Sequence, residues 1–475
     1  MTNALADLLS INKGSVTAPA GCGKTHLIAH SLTQCSDKKP TLILTHTNAG
    51  AVALRQRLSR NNVPSKLYRV WTVDGWAMRL VSVFPKRSEI DPRLLLLANP
   101  GTDYPNIRVA AARMLRAGHL NDLLAASYAR LIVDEYQDCS VRQHLLVAFA
   151  SQSLPSCVLG DPLQAIFDFG GDDLAHWEND VCKFFPLAGE LTHPWRWINA
   201  GAEGLGEWLL YVRKQLLVGA PVDLRQAPKE VHWIELDGKE DHARKLRAAR
   251  TNPPANGNVL IIGDSRSPDS QRQFASQTPG AVTVEAVDLR DLVAFANRFD
   301  LRAPNALQLL ADFAQSTMTN VGAADLVRRV ETLEAGRARR APSDVERAAL
   351  AFKAVPAHRS AVDLLVEIGK EAGVRQHRPA VVRACIKALE LCQGDETVTF
   401  ADAAVRMREQ NRSTGRPLPR RAVGSTLLLK GLEADVAVIL DGGRLNARNL
   451  YVAMTRGSRQ LTVCSESPVL NPPKP

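Results

Sequence analysis

Short apolar runs and longer amphipathic segments alternate along the chain. In its first part, apolar runs bounded by turn residues predict strands, and the intervening segments repeat their apolar positions at helical spacing. The predicted strands cover residues 14–17, 40–45, 68–72, 130–134 and 156–160. Strands that alternate with helices predict an α/β fold, in which a parallel sheet is covered by helices on both faces.

A second set of apolar runs in the later part of the chain predicts a second α/β layer. These runs cover residues 231–236, 258–264, 422–429, 434–441 and 460–465. Two further stretches have helical spacing and interrupt the predicted sheets. We therefore predict a first domain over 1–190 with a small helical insertion at about 85–127, and a second domain over 191–475 with a helical insertion at about 288–392.

Length and composition favour a protein with more than one domain and no membrane span. The chain has 475 residues, and single hydrophobic cores rarely grow beyond about 250–300 residues. Apolar residues make up 45% of it, and no apolar run approaches the ~18 residues of a membrane span. The first residues also lack the basic segment of a secretory signal. We therefore expect a cytoplasmic protein that does not contact membranes.

Charge and cysteine usage add two expectations. Lysine and arginine number 59 against 49 acidic residues, and the resulting net charge of +10 favours a polyanionic partner only mildly. The eight cysteines are scattered, with no C-x-x-C pair and no histidine at metal-ligand spacing. We expect them to be reduced thiols and mostly buried.

The segment APAGCGKT connects a predicted strand to a predicted helix that begins near Lys24. Gly21 and Gly23 allow backbone amides to turn inward around phosphate oxygens, and the helix N-terminus adds positive potential. Lys24 is placed to reach the outer phosphates and Thr25 to bind Mg²⁺. The motif predicts a phosphate-binding loop, and a glycine-rich turn that binds nothing is the alternative. The predicted loop contacts are Ala18, Pro19, Ala20, Gly21, Cys22, Gly23, Lys24 and Thr25.

A later apolar run, residues 130–134, ends in two acids, Asp134 and Glu135. Ligands gather at the carboxyl edge of open α/β sheets, where these side chains emerge. Asp134 is placed to hold Mg²⁺, and Glu135 is placed to orient or deprotonate the attacking water. An acidic strand end alone is more typical of a solvated loop. Together with the phosphate loop, the acids indicate hydrolysis of a nucleoside triphosphate.

Around these two motifs the chain resembles the UvrD/Rep family of superfamily 1 helicases, in motifs that recur in order over nearly its whole length. The family's phosphate loop is commonly A-x-x-G-x-G-K-T, which the segment from Ala18 to Thr25 matches. The box DEYQD, residues 134–138, is similar to the family's acidic motif. The resemblance implies two RecA-like domains that close on one ATP molecule, with Mg²⁺ as cofactor.

Two further segments resemble motifs that contact ATP in this family. GDPLQAIFDF, residues 160–169, would supply Gln164 as a sensor of the γ-phosphate. LTHPWRW, residues 191–197, would supply Trp195 as the ring that stacks on adenine and Arg196 as a γ-phosphate contact.

The last two motifs lie near the end of the chain. KGLE, residues 430–433, resembles the motif that implies a ribose contact by Glu433. NLYVAMTRGSRQLTV, residues 449–463, resembles the motif that implies an arginine finger, here Arg456. The catalytic residues that the residue pattern and the resemblance give together are Lys24, Glu135, Gln164, Arg196 and Arg456.

The resemblance also implies a track for nucleic acid. One motif that faces the single strand resembles THTNAGA, within residues 41–58. The next motif resembles WTVDGWAMRLV, residues 71–81, where Asp74 stands at the position that is usually histidine in the family. Aromatic rings suit an unspecific track because every base offers a π-face. For both phenylalanines of GDPLQAIFDF, a place in the core is an equally open alternative. The implied nucleic-acid contacts are His46, Thr47, Asn48, Thr72, Phe167 and Phe169.

These motifs imply an ATP-dependent helicase or translocase that moves 3′ to 5′ on single-stranded or tailed duplex DNA. The alternative is a DNA-sensing regulatory ATPase that controls a partner nuclease without processive unwinding. The short helical insertions are compatible with this alternative. The chain is also similar to helicase components of anti-phage systems such as Gabija, although it contains no nuclease motif. A protein-remodelling ATPase or a nucleotide kinase is disfavoured, because neither needs the ordered DNA-facing motifs.

Overall fold

The computed structural model describes residues 7–167, 172–286, 288–395, 397–413 and 418–474. The chain forms two compact units. The first comprises Met1–Glu235 with Asp441–Pro475, and the second comprises Leu236–Leu440. Residues 191–235 and 441–475, which the prediction assigned to the second domain, pack with the first unit.

Strands and helices alternate through both units, as the hydrophobic pattern predicts. The strands are β1 (Lys13–Thr17), β2 (Thr41–Thr45), β3 (Tyr68–Thr72), β4 (Leu131–Val133), β5 (Ser156–Gly160), β6 (Leu187–Glu190), β7 (Val222–Asp223), β8 (Val231–Glu235), β9 (Val259–Ile262), β10 (Ala281–Thr283), β11 (Met318–Thr319), β12 (Arg375–Gln376), β13 (Arg421–Gly424), β14 (Ala434–Ile439), β15 (Gly457–Ser465) and β16 (Val469–Leu470).

The helices include the predicted helix that follows the glycine-rich loop. They are α1 (Lys24–Thr33), α2 (Asn48–Arg60), α3 (Val73–Val83), α4 (Pro85–Ser88), α5 (Pro100–Arg116), α6 (Asn121–Ser127), α7 (Val141–Ala150), α8 (Cys182–Phe184), α9 (Trp195–Ala200), α10 (Glu203–Val218), α11 (Asp241–Ala249), α12 (Pro268–Gln277), α13 (Arg290–Arg298), α14 (Ala306–Thr317), α15 (Ala323–Glu334), α16 (Asp344–Ala354), α17 (His358–Lys370), α18 (Pro379–Gly394), α19 (Phe400–Ser413), α20 (Thr426–Leu429) and α21 (Ala447–Met454).

The first unit contains a six-stranded sheet in the order β3-β2-β4-β5-β1-β6, and its strand pairs are all parallel. Thr17 at the end of β1 is in register with Gly160 of β5 and Glu190 of β6. The carboxyl ends of these strands therefore meet at one edge of the sheet, where the glycine-rich loop begins.

Helices cover both faces of this sheet, which explains why every residue of β2, β4 and β5 is buried. Successive residues of a strand point to opposite faces. Leu42 and Leu44 of β2 pack in one apolar cluster with Trp76 of α3, whereas Ile43 packs in the opposite cluster with Leu27 of α1.

The second unit contains parallel strands in the order β10-β13-β9-β14. Within the second unit, β13 pairs in parallel with β10 and β9, and β9 pairs in parallel with β14. Within the first unit, β15 pairs in parallel with β8. The predicted α/β class with two parallel sheets is confirmed.

One predicted strand is wrong in its second half. Residues 422–429 were predicted as one strand, but β13 ends at Gly424 and a helical turn, Thr426–Leu429, follows. The Ser425 hydroxyl caps this turn by accepting the backbone N–H of Leu428 at 3.3 Å. A serine cap satisfies a donor that would otherwise be unpaired at a helix start, so it outweighs the apolar character of the sequence.

Both predicted insertions are helical. Residues 85–127 contain α4, α5 and α6. The stretch predicted at 288–392 contains α13 to α18, and helical structure continues through α19 to Ser413, with β11 and β12 forming a short antiparallel pair between helices. The insertion therefore extends further along the chain than its apolar spacing predicted.

Two smaller expectations concern the membrane and the thiols. Among the described residues, no helix has both the length and the apolar character that crossing a bilayer requires. The eight cysteines, all of which lie among the described residues, form no disulfide, and six of them are buried. The expectation of reduced, mostly buried thiols agrees with this arrangement.

Candidate nucleotide-binding site

The loop between β1 and α1 is a tight turn that depends on two glycines. Gly21 and Gly23 have φ values of 70° and 86°, in the left-handed region that residues with a Cβ avoid. A Cβ on Gly21 would also lie 2.5 Å from the ring of Trp197. Glycine is therefore required at Gly21 by both conformation and space, and the turn has the form of a phosphate-binding loop.

Neighbouring elements anchor the loop. The Ala18 amide donates to the carbonyl of Gly160 at 2.8 Å, and the Ala20 amide donates to the hydroxyl of Tyr451 at 3.2 Å. Tyr451 lies on α21, far along the chain, and is fully buried. The predicted contacts Ala18, Pro19, Ala20, Gly21, Cys22 and Gly23 all lie in this connection, and Lys24 and Thr25 open α1.

Lys24 pairs with both predicted acids. Its Nζ lies 3.4 Å from Asp134 Oδ1 and 2.7 Å from Glu135 Oε1. Burial by itself would lower the pKa of Lys24, but the two carboxylates outweigh it, so that the pKa lies above its usual value. Burial raises the pKa of Asp134, and Lys24 opposes that rise. The structure thus brings the lysine and both acids together at the carboxyl edge of the sheet.

Glu135 has an unusual backbone. Its φ is 56°, in the left-handed region that few residues other than glycine adopt, and its amide donates to Asp134 Oδ1 at 2.9 Å. Such conformations cost of the order of 1–3 kcal/mol and cluster at functional sites. Asp134 directly follows β4, and the Glu135 carboxylate next to it lies 2.7 Å from Lys24.

A buried hydrogen-bond network lies behind these acids. Gln137 Nε2 donates to Glu135 Oε2 at 2.6 Å, and Gln137 Oε1 accepts the backbone amide of Asp161 at 3.1 Å. Asp161 Oδ2 in turn accepts Gln164 Nε2 at 3.1 Å. Asp161 is fully buried, and Gln137 and Gln164 are nearly so. The predicted sensor Gln164 and the predicted water-orienting Glu135 are therefore connected through two residues, Asp161 and Gln137, to which the prediction assigned no role.

Arg213 of α10 belongs to this network and was missed from the sequence. Its Nε donates to Asp161 Oδ1 at 3.2 Å, and its Nη1 donates to Glu190 Oε1 at 3.0 Å. The residue is only 5% exposed and stands between the buried Val212 and Leu216. The sequence signal that could have indicated this residue is an arginine in the apolar stripe of a helix, because a buried charge needs a partner of opposite charge.

The WRW segment at the start of α9 lies against the glycine-rich loop. The amide of Arg196 donates to the carbonyl of Gly21 at 3.0 Å, and a Cβ on Gly23 would lie 3.0 Å from the ring of Trp195. Trp197 is buried, whereas Trp195 is 44% exposed. The structure thus places an exposed indole beside the glycine-rich loop, and its role as a base-stacking ring stays a prediction.

Arg196 and Arg456 meet around Thr455. Arg196 Nη1 donates to the carbonyl of Thr455 at 2.6 Å, and Arg456 Nη2 donates to its hydroxyl at 3.2 Å. Arg456 Nε donates to the carbonyl of Val452 at 2.8 Å, at the end of α21. Both predicted arginines therefore lie in the first unit, on segments that also contact the glycine-rich loop.

Glu433, the predicted ribose contact, lies in the second unit. It immediately precedes β14, and its side chain is exposed. Its role stays a prediction.

Four of the predicted nucleic-acid contacts lie at the carboxyl ends of β2 and β3, and Phe167 follows β5. His46 and Phe167 are half-buried, with ring centroids 5.3 Å apart. The Thr47 hydroxyl accepts the amide of Gly50, and the Thr72 hydroxyl accepts the amide of Gly75, both at 3.0 Å. Both threonines thereby cap the helices that follow these strands. Asn48 is exposed at the start of α2. Phe169 lies outside the described residues.

Asp74 stands where the resembling family usually has histidine, and it is engaged in an ion-pair cluster. Its two oxygens accept Arg108 Nε and Nη2 at 2.7 and 2.8 Å, and Oδ1 also accepts Gln143 Nε2 at 3.0 Å. Arg108 Nη1 reaches Asp172 at 2.7 Å. Asp74 therefore joins α3 to α5 and α7 in this structure.

The described residues contain no group of three or more His, Cys, Asp or Glu side chains that could hold a metal ion. Thr25 and Asp134 nevertheless offer oxygen atoms, the ligand type that Mg²⁺ prefers, and Mg²⁺ is usually held by one or two carboxylates together with substrate phosphates. The donor set fits a magnesium ion that arrives with a nucleotide.

Comparison with known proteins adds one family match. Residues 2–170 match the family model of the AAA domain. This stretch is less than half of the chain and contains the glycine-rich loop, the acidic pair and Gln164.

No curated protein matches the chain. Among solved structures, the complex of arterivirus nonstructural protein 10, a helicase, with DNA aligns over 97% of this chain and 62% of that one, with 9% identity and a TM-score of 0.36. The chain thus spans less than two thirds of the viral protein's length.

Proposed function

We propose that the protein hydrolyses ATP at the site around Lys24 and couples hydrolysis to movement along single-stranded DNA. The observation that carries this proposal is the ion pairing of Lys24 with Asp134 and Glu135 at the mouth of the glycine-rich loop. The AAA domain match over residues 2–170 supports a nucleotide-hydrolysing first unit.

The residues have separate tasks in hydrolysis. Lys24 exchanges its carboxylate partners for the outer phosphates, and Thr25 and Asp134 would hold Mg²⁺, which when bound neutralises charge on the phosphate oxygens. Glu135 orients the attacking water and accepts its proton. Gln164 donates a hydrogen bond at the γ-phosphate. Positioning and charge stabilisation of this kind account for most of the catalysis of phosphoryl transfer.

Arginines and an indole complete the proposed site. Arg196 and Arg456 supply positive charge for the transition state, and an arginine in that position is worth about 10³ to 10⁵ in rate in GTPases. The exposed ring of Trp195 stacks on the adenine. The contacts of both arginines with the carbonyls and hydroxyl near Thr455 support this role, since these segments also contact the loop.

The proposed track for DNA lies at the ends of β2 and β3. Phe167 and His46 offer ring faces to the bases, while Thr47, Asn48 and Thr72 stand at two helix N-termini, which favour phosphate oxygens. The direction of movement, 3′ to 5′, follows from the resemblance to the UvrD/Rep family, as does a link to anti-phage defence with a nuclease partner. These parts of the proposal rest on sequence motifs.

The experiment measures ATP hydrolysis by the full chain without nucleic acid, with single-stranded DNA and with single-stranded RNA. Strand displacement on duplexes with a 3′ or a 5′ tail follows. We expect stimulation by DNA and displacement from the 3′-tailed substrate. Stimulation without displacement would favour the regulatory sensor, and a chain that hydrolyses no ATP under any of these conditions would refute the proposal.

A further inference from the structure

Arg213 is a buried cation outside every motif of the sequence, and its contacts lead to the proposed hydrolysis site. It lies on α10 with 5% of its surface exposed. Its Nε donates to Asp161 Oδ1 at 3.2 Å and its Nη1 to Glu190 Oε1 at 3.0 Å. Removing one partner of a buried ion pair is strongly destabilising, because the other charge is left buried without compensation, so this guanidinium and the Asp161 carboxylate hold each other in place.

Asp161 makes hydrogen bonds with two further side chains, Gln164 and Gln137. Its Oδ2 accepts Gln164 Nε2 at 3.1 Å, and its backbone amide donates to Gln137 Oε1 at 3.1 Å. The second contact determines which way the Gln137 amide points, so that Nε2 faces Glu135 and donates to it at 2.6 Å. One buried residue, Asp161, thus contacts Gln164 through its carboxylate and Gln137 through its backbone amide.

Electrostatics support the same arrangement. Burial alone would lower the pKa of Arg213, but Asp161 and Glu190 raise it above its usual value, so the guanidinium stays charged. Asp161 is fully buried, so its carboxylate oxygens need partners within the protein, which Arg213 and Gln164 supply.

We propose that Arg213 is a positioning residue for ATP hydrolysis, which acts through Asp161 on Gln164 and, by way of Gln137, on Glu135. This inference rests on the proposed function. Arg213 donates to Asp161 at 3.2 Å, and the hydrogen bonds of Asp161 to Gln164 and Gln137 transmit its position to the proposed site.

The test compares Arg213→Met and Arg213→Lys with the wild type in ATP hydrolysis without nucleic acid. A misplacement of about 1 Å costs of the order of 100-fold in rate, so we expect Arg213→Met to lower kcat by about 10- to 100-fold. KM should change by less than about threefold, because Lys24 and the loop amides bind the phosphates. Arg213→Lys keeps the cation beside Asp161 and should recover part of the lost kcat.

Arg108→Met is the matched control for stability. Arg108 is also buried in the first unit and also pairs with two carboxylates, Asp74 and Asp172. We expect both methionine variants to lower the Tm, and only Arg213→Met to lower kcat. In an Asp161→Asn background, Arg213→Met should add little further loss of kcat, because the group through which it acts is already changed.

The outcomes separate this inference from the proposed function. A wild-type chain without ATPase activity refutes the proposed function itself. A wild type that hydrolyses ATP, combined with an Arg213→Met variant that loses Tm but keeps its kcat, leaves the proposed function standing and overturns the positioning role. Fully additive losses in the double variant would also overturn it.

Discussion

Lys24 Nζ lies 2.7 Å from Glu135 Oε1, so the cation expected to bind phosphate is held by the acid expected to orient water. Under the proposed function, a triphosphate that draws Lys24 to its phosphates would release the Glu135 carboxylate at the same time. The proposal therefore couples substrate binding to the freeing of Glu135 through one ion pair.

Lys24→Ala removes this coupling together with the phosphate contact. Loss of one preorganised donor commonly costs about 100- to 1000-fold in kcat, and we expect a loss of at least this size in steady-state ATP hydrolysis. Lys39→Ala is the control, because Lys39 is an exposed lysine of the same unit. Hydrolysis by Lys24→Ala at the wild-type rate would rule out the assigned site.

Trp195→Ala removes the exposed indole beside Gly23. We expect KM for ATP to rise about 10-fold, the equivalent of about 1.4 kcal/mol, which lies within the range of about 1–3 kcal/mol for a stacked base. Trp195→Tyr should keep most of the affinity, and Tyr211→Ala, which removes another exposed ring, should leave KM unchanged. An unchanged KM in Trp195→Ala would exclude adenine stacking there.

Phe167→Ala tests the proposed track for DNA. The half-buried ring lies beside His46, and removing it should weaken binding of single-stranded oligonucleotides about 5- to 10-fold, measured by fluorescence anisotropy at one salt concentration. Leu96→Ala, which truncates an apolar side chain that is 79% exposed, provides the comparison. Equal affinities for all three chains would show that Phe167 has a place in packing instead.

Alkaline pH should destabilise the fold through its buried thiols. Burial raises the pKa of Cys22 and of Cys157 to about 12, whereas thiols of an unfolded chain titrate near a pKa of about 8.5. Their contribution to stability is therefore complete below pH ~8.5 and is lost as the pH rises toward ~12, at about 1.4 kcal/mol per pH unit for each thiol.

Urea unfolding at pH 7.5, 9 and 10 measures this loss of stability. Cys157→Ala should make the free energy of unfolding fall less steeply with pH, by the contribution of one thiol. This change in slope is expected whether or not the substitution changes the stability at neutral pH. A free energy of unfolding that stays constant from pH 8.5 to 10 would contradict the linkage.

The strands of the first sheet could be predicted closely because each is an uninterrupted apolar run. β3 and β5 match the predicted residues 68–72 and 156–160, and burial on both faces explains why such runs are so distinct. β6 was not predicted. Its residues, Leu187–Glu190, are mostly exposed at the edge of the sheet, and their sequence contains no apolar alternation.

The site residues could be predicted where the chemistry of phosphate binding requires particular residue types at a particular spacing. Residues whose hydrogen-bond or ion-pair partners are set by the packing of distant segments could not. Gly21, Gly23 and Lys24 follow from what a phosphate loop requires. For Arg213 the only signal is its place in the apolar stripe of α10, and its role depends on the distance between α10 and Asp161, which only the folded chain determines. Asp74 differs from the family's histidine, and its pairing with Arg108 depends on α5, a helix from a separate insertion.

The contact between Trp197 and Gly21 gives the protein a built-in optical probe. Any ligand that rearranges the glycine-rich loop must alter the surroundings of a buried indole, and one that stacks on Trp195 must quench or shift the emission of an exposed one. Nucleotide exchange could therefore be followed in real time by intrinsic fluorescence, without attaching a dye to the chain.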